Sequence, residues 1–271
     1  MYLADYHTHS YISVDGHETM EDMARAARDA GMSEICFTDH CDTVEWSDYS
    51  FSDRGLKVIA GVNKDYAALM ERPPEGIVIK KGLEMGDAHL RPKRALEMAA
   101  APGFDFIIGS VHILREEGDF YVMNYQSMEQ CYELMDKYLD QSMEIAKMDF
   151  FDVMGHIGYC YRYMAKSGFF PRLDLSRYGD KIRALLKLLI ENGRGIELNT
   201  SGIRNGVGAY PDDNILRLYK DLGGEIITVG SDAHFVADAG ADVADGYEKL
   251  KSLGFDRVTL FSGRKPEFIK I

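Results

Sequence analysis

Ile35-Cys36-Phe37-Thr38-Asp39-His40 places four residues of strand character directly before an acid and a histidine. Just upstream, Gly31 stops a helix that Thr19-x-x-Asp22 opens as a capping box, with Met20, Met23, Ala24, Ala27 and Ala30 on its apolar side. Earlier still, residues 2–6 read as a short strand entering His7-Thr8-His9, and a polar loop over 10–18 joins it to the helix. Strand, loop, helix, strand is the β-α-β unit of a parallel sheet.

Downstream the alternation continues. A helical stretch over 57–72 ends at Pro73-Pro74, and Ile77-Val78-Ile79 is a strand running to Gly82-Leu83-Glu84. A short helix over 93–100 precedes a strand over 104–108 that ends at Gly109-Ser110-Val111-His112. The longest helical tract, 128–148, precedes a strand over 151–154 and then Gly155-His156. A helix over 182–192 leads to Gly195-Ile196-Glu197-Leu198 and Asn199-Thr200-Ser201; one over 214–222 leads to a strand over 225–229 and Gly230-Ser231-Asp232-Ala233-His234. A last helix over 241–253 and a strand-like 258–261 complete the pattern. Seven alternations without a linker, charge block or low-complexity tract predict one α/β domain over 1–271, a barrel or near-barrel of parallel strands. Its chemistry belongs at the carboxyl ends of the strands. No motif recurs at a fixed period, which argues against a solenoid.

Composition narrows the function classes. With 271 residues, 46% of them hydrophobic and 28% charged, the chain can bury a sizeable core. A formal net charge of −13 argues against binding a nucleic-acid polymer by its backbone, which needs basic surface. No segment approaches the roughly 20 apolar residues of a membrane span, and Met1-Tyr2-Leu3-Ala4-Asp5 lacks the basic and apolar regions of a signal peptide, so a cytoplasmic location is expected. Cys36, Cys41, Cys131 and Cys160 are scattered, without a Cys-x-x-Cys pair, and read as free thiols.

At the strand ends stand His7 and His9, His40, Glu84, His112, His156, and the pair Asp232 and His234; Asp15, in the first loop, can reach over the same mouth. Alone, His7-x-His9 is more often the polar face of a surface strand than a metal grip. Here six of the eight histidines fall where a barrel would converge them, and only His17 and His89 are left over. Buried imidazoles and carboxylates are costly unless paired or coordinated, so metal ligation is the economical account. Nitrogen and oxygen donors without a thiolate suit zinc, manganese or iron. Nine ligands are too many for one ion. Two or three divalent ions are expected, with Glu84 as a bridge because its two oxygens can be shared. Three carboxylates contribute about −3 and three divalent ions about +6, which makes a cationic pocket inside an acidic protein, suited to a phosphate dianion.

His7-x-His9, Asp15, Thr38-Asp39-His40, Gly82-x-Glu84, Gly109-Ser110-x-His112, Gly155-His156 and Gly230-Ser231-Asp232-Ala233-His234 together resemble the polymerase-and-histidinol-phosphatase (PHP) superfamily over essentially the whole chain. The size, the Phe37-Thr38-Asp39-His40 form, the long helix after His112 and Leu198-Asn199-Thr200-Ser201-Gly202-Ile203-Arg204 resemble its histidinol-phosphatases of histidine biosynthesis. The resemblance implies a distorted (β/α)7, TIM-like barrel with a trinuclear site: His7, His9, Glu84 and Asp232 on one metal, Glu84, His112 and His156 on a second, and Asp15, His40 and His234 on a third. Some family members carry a histidine where Asp15 stands, and His17 is a rival for that role.

The reaction expected of such a site is hydrolysis of a phosphate monoester, L-histidinol phosphate, by a hydroxide bridging two ions. Glu84, Asp232 and His234 are expected at the reacting centre. Arg162 and Arg204 stand where a guanidinium could take phosphate oxygens in pairs, and Asn199 and Ser201 could bond the phosphate or the amino alcohol. The loop over 41–51, with Asp42, Glu45, Trp46, Asp48 and Tyr49, could form a wall for an ammonium or imidazole. Two rivals stand beside this reading: a phosphoesterase for nucleotides or other small phosphate esters, and an inactive metal-stabilised interaction domain, against which the complete ligand set speaks.

Overall fold

The structure is a computed structural model and describes residues 1–45, 50 and 52–271. The first half alternates as β1 (Ala4–Thr8), α1 (Met20–Asp29), β2 (Glu34–Phe37), α2 (Arg54–Glu71), β3 (Val78–Gly86), α3 (Pro92–Ala99) and β4 (Phe106–Ser110). A short antiparallel hairpin follows, β5 (Ile113–Leu114) with β6 (Gly118–Asp119), and then α4 (Met128–Ala146) and β7 (Val153–Met154). The remainder is α5 (Tyr161–Lys166), α6 (Leu175–Glu191), β8 (Gly195–Asn199), α7 (Ser201–Arg204), α8 (Asp213–Asp221), β9 (Ile227–Gly230), α9 (Val243–Ser252) and the hairpin β10 (Arg257–Ser262) and β11 (Lys265–Lys270).

Seven strands pair in parallel in the order β1-β2-β3-β4-β7-β8-β9. The two outer strands meet through a parallel bridge between Thr8 and Ala233, with the His9 N–H donating to the Ala233 carbonyl and the Asp232 N–H to the His7 carbonyl, both at 2.8 Å. The sheet is thus a nearly closed barrel, as the alternation predicts. Its strands are largely buried on both faces because one face meets the helices and the other lines the lumen. Helices α1 and α4 start where the sequence says they should: the Asp22 N–H donates to Thr19 Oγ1 at the cap of α1, and the Gln130 N–H to Ser127 Oγ at the cap of α4. Met23, Ala24 and Ala27 then lie buried along α1. Among the described residues no helix is long and apolar enough to cross a membrane, and all four cysteines are free and buried.

The base of the lumen is closed from outside the barrel. Leu260 and Phe261 of β10 pack with Ala4, Tyr6, Cys36, Phe106, Ile108 and Val153, and the Tyr6 hydroxyl accepts from the Phe261 N–H at 2.8 Å and donates to Glu34 Oε1 at 2.5 Å. The antiparallel partner β11 departs from the single terminal strand that the sequence suggests. Its exposed, polar Lys265-Pro266-Glu267 start offers no apolar alternation to read. Helix α6 also begins at Leu175 rather than near 182, because Asp174 caps it by accepting from the Ser176 N–H at 2.8 Å and Tyr178 supplies a buried contact ahead of the leucine run.

Candidate metal centre

Glu84 occupies β3, where period-two alternation puts Leu83 and Met85 toward the helices and Glu84 into the lumen. Its neighbours arrive from the other strand ends. Oε1 lies 2.8 Å from His156 Nε2 and 3.1 Å from His112 Nε2, and Oε2 lies 2.7 Å from His40 Nδ1, 3.4 Å from His7 Nε2 and 3.8 Å from His9 Nε2. Asp232 faces the same two N-terminal histidines, with Oδ1 at 3.7 Å from His7 Nε2 and 3.5 Å from His9 Nε2. At the mouth, His234 Nε2 stands 3.3 Å from Asp15 Oδ2 and 3.5 Å from His40 Nε2, which is 3.7 Å from Asp15 Oδ1. All nine ligand candidates therefore gather around one point of the barrel. His17 does not join them: it is exposed and stacked on Phe235, and His89 is buried elsewhere, beside Arg115.

Local backbone irregularities aim these groups. Tyr6 packs edge-on against Phe106 in the barrel base while its neighbour His7 reaches Glu84, because the β1–β2 register shifts between Asp5 and Thr8; such bulges re-aim side chains. Asp232 adopts the left-handed conformation (φ 55°), uncommon for a residue with a Cβ and tolerated by aspartate, so that its carboxylate turns back over the mouth.

The spacing of the donors tests whether metal ions fit. His7 Nε2 and His9 Nε2 are fully buried and without a hydrogen-bond partner, although carboxylate oxygens stand 3.4–3.8 Å away. Those separations run from the long limit of a hydrogen bond to beyond it. They match the distance of about 3.4 Å between two ligands that share a tetrahedral ion with bonds of about 2.1 Å. The donor set fits metal, and donor atoms close enough to share an ion occur in His7–His9–Asp232, His7–Glu84–His156, His40–Glu84–His112 and His9–His40–His234.

Electrostatics agree. Burial alone would raise the Glu84 carboxyl; the imidazoles of His40, His112 and His7 outweigh it and hold Glu84 well below the usual carboxylate range. Asp232 is likewise pulled down against its burial, by His7, His9, His234 and Arg162. His9 is held well below the ordinary imidazole value by burial and by His234 and His40. His40 and His112 move the other way, to about 10 and about 9, because Glu84 overcomes the burial of each.

Behind the cluster stands a shell of buried acids that sequence reasoning overlooked. Asp39 accepts from the Ser10 N–H at 2.7 Å and from Ser13 Oγ at 2.8 Å; Ser13 Oγ in turn lies 3.1 Å from His9 Nδ1 and accepts from the His40 N–H at 3.0 Å. Asp87 accepts from the His112 and Ile113 N–H groups. Asp5 accepts from the N–H groups of Ser231 and Gly240. Glu197, in the middle of β8, sits 2.6 Å from His7 Nδ1 and accepts from the His156 N–H at 2.7 Å. Its signal was available: a carboxylate inside a strand that is otherwise buried and uncharged, Gly195-Ile196-Glu197-Leu198, needs a buried partner.

The cluster forms the floor of a cavity of about 410 Å3 whose walls include Asp119, Tyr121, Tyr159, Arg162, Tyr163 and Lys166. The Arg162 guanidinium lies over the rings of Tyr159 and Tyr163 and reaches to 3.9 Å from Asp232 Oδ2. Asn199, Ser201 and Arg204 are placed differently. Asn199 Nδ2 and Ser201 Oγ donate to Asp232 Oδ2 from behind, and Arg204 Nη2 donates to the Ser231 carbonyl at 2.7 Å. Trp46, Asp48, Tyr49 and Phe51 of the expected aromatic wall lie outside the described residues.

A nearly closed parallel barrel that gathers imidazoles and carboxylates at its carboxyl-terminal mouth is the scaffold of a metal-dependent hydrolase. Residues 5–201 match the model of the PHP domain, and the chain belongs to that family. It is 28% identical over 268 residues to a histidinol-phosphatase of Lactococcus lactis, covering 96% of this chain and 95% of that one. It is 26% identical over 269 residues to the Thermotoga maritima protein named "Probable histidinol-phosphatase", covering 99% and 100%. Among solved structures, the histidinol phosphate phosphatase of Lactococcus lactis complexed with zinc, L-histidinol and phosphate aligns over 98% of both chains, with a TM-score of 0.75 and 26% identity.

Proposed function

We propose that this chain is a metal-dependent phosphomonoesterase that hydrolyses L-histidinol phosphate to L-histidinol and inorganic phosphate. The observation that carries the reading is the gathering of nine donor residues, Glu84 at their centre, at one barrel mouth, with the unpartnered Nε2 atoms of His7 and His9 at 3.4–3.8 Å from carboxylate oxygens, on the floor of a cavity with cations on its wall. Two or three divalent ions, zinc, manganese or iron, would be held by His7, His9, Glu84 and Asp232, by Glu84, His112 and His156, and by Asp15, His40 and His234. When bound, such ions supply Lewis acidity toward phosphate oxygens and acidify water toward neutral pH.

The chain's own residues do the rest. Arg162, set over the rings of Tyr159 and Tyr163 and donating from Nη2 to the Tyr163 hydroxyl at 2.7 Å, offers its remaining donors to the non-bridging phosphate oxygens at the edge of the cluster. Asp119 and the tyrosine rings give the opposite end of the substrate, an ammonium and an imidazole, an acidic and aromatic surface. Asn199 and Ser201 fix the Asp232 carboxylate from behind. The ester P–O bond breaks, water supplies the new oxygen on phosphorus, and the departing alkoxide takes up a proton to leave as the alcohol.

The test is metal content per chain by elemental analysis together with turnover on L-histidinol phosphate beside a nucleotide panel, repeated for His7→Ala and Glu84→Ala. Loss of nearly all turnover in both variants and preference for L-histidinol phosphate by kcat/KM are expected. Activity within a few-fold of the parent in either variant overturns the site, and preference for nucleotides overturns the substrate.

A further inference from the structure

We propose that Glu197 is a positioning residue that couples two of the metal sites, fixing the proton on His7 and the backbone of His156 with its two oxygens. The inference rests on the reading of His7 and His156 as metal ligands. Glu197 is fully buried in β8, Oε1 stands 2.6 Å from His7 Nδ1, and Oε2 accepts from the His156 N–H at 2.7 Å and from Asn199 Nδ2 at 3.2 Å. His7 turns its other nitrogen, Nε2, toward Glu84 and Asp232, while His156 reaches Glu84 from the opposite oxygen. One carboxylate thus stands behind histidines that approach different oxygens of the bridging acid.

The chemistry follows from counting donors. A carboxylate accepts on both oxygens and donates nothing, so His7 must carry its proton on Nδ1 and present the lone pair of Nε2 to an ion. Carboxylates behind a ligating histidine fix its tautomer and raise its basicity in this way. The fold packs closely around this contact: a Cβ on Gly230 would stand 2.6 Å from Glu197 Oε1 and 2.4 Å from His7 Cβ.

Glutamine at this position keeps the shape but not the pattern. If its oxygen serves His156 and Asn199, its NH2 faces His7 Nδ1, which must then accept, and the proton moves to Nε2 where the ion should bind. If the amide is turned over, its NH2 confronts the His156 N–H. Either orientation spoils one of the two sites.

The experiment is zinc binding to the full chain by competition with a chromophoric chelator, with stoichiometry by elemental analysis, for the parent, E197Q, E197D and His7→Ala. E197Q is expected to fold with a melting temperature in chelator near that of the parent and to bind part of its zinc about 10- to 100-fold more weakly. E197D keeps two accepting oxygens but draws them back by one methylene from donors at 2.6 and 2.7 Å, so it too should bind zinc more weakly than the parent. Parental zinc binding by E197Q while His7→Ala loses zinc overturns the positioning role. Parental zinc binding in all four proteins removes the metal reading itself, and the inference with it. Should E197Q not fold, E197D still tests the proposal, since withdrawing the oxygens by one methylene must weaken zinc measurably; unchanged affinity overturns it.

Discussion

Arg162 Nη1 stands 3.9 Å from Asp232 Oδ2, so a guanidinium supported by two tyrosine rings meets the carboxylate that faces His7 and His9. The gap is wide enough for the arginine to keep most of its donors for a substrate anion. A charge-assisted hydrogen bond contributes about 1.5–3 kcal/mol, so Arg162→Ala should lower kcat/KM for L-histidinol phosphate by about 10- to 150-fold. Arg162→Lys keeps the charge but not the fork and should recover only part of that loss. An alanine variant within about twofold of the parent would show that the phosphate is held elsewhere.

The cluster should reverse the pH dependence of stability when metal is added. In the metal-free chain His40 and His112 have pKa values of about 10 and about 9, above the unfolded value of 6.5. The native state therefore holds protons that the unfolded chain releases. That stabilisation is complete below pH 6.5 and is lost as pH rises through 9 to 10. Zinc needs the same nitrogens unprotonated and displaces those protons, so zinc affinity should rise over this range. Melting temperatures from pH 7 to 9 are expected to fall in chelator and to hold or rise with excess zinc; parallel curves would contradict the assignment.

Ser13 is a hydroxyl with three partners: Asp39 Oδ1, His9 Nδ1 and the His40 N–H. Ser13→Ala strands buried polar groups on both sides of the first loop. A destabilisation of about 1–3 kcal/mol is expected in denaturant unfolding of the metal-free protein, together with weaker zinc binding. Equal unfolding midpoints would mean that water replaces the hydroxyl.

Gly230 ends β9 directly against His7 and Glu197, where a Cβ would meet the His7 Cβ at 2.4 Å. Both neighbours belong to the barrel wall and cannot swing aside, so Gly230→Ala should cost at least about 1–3 kcal/mol and displace His7. Loss of zinc together with a lowered melting temperature is the expected result. A variant that keeps its zinc would show that the strand can shift without moving the ligand.

Much of this site is written in local sequence. Most of the candidate ligands lie near the end of a short strand or just after one, so His7, His40, Glu84, His112, His156 and Asp232 could be placed at one barrel mouth from the strand pattern alone. The supporting acids were harder to see. Asp39 and Asp87 look like ordinary polar residues until the donors they face are known, and although Glu197 stands out inside an uncharged strand, the sequence does not name its partner, a histidine 190 positions away. Asn199 and Ser201 show the converse. Their placement after β8 suggested substrate contact, yet their polar atoms bond Asp232 and each other. Strands such as β11 and the two-residue β5 and β6 are set by pairing with a neighbour, and carry no periodicity of their own.

The seam between β1 and β9 also has a temporal side. Asp5 and Ser231 are joined by hydrogen bonds across 226 positions. At a synthesis rate of about 5–20 residues per second, His7 and His9 are added to the chain roughly 10–45 s before Asp232 exists. On the proposed ligation, the two histidines are during that interval an incomplete chelate that would hold stray metal only loosely. Tight loading must wait until the last barrel strand docks, which makes arrival of the correct ions a late step of maturation and a report that the chain has closed.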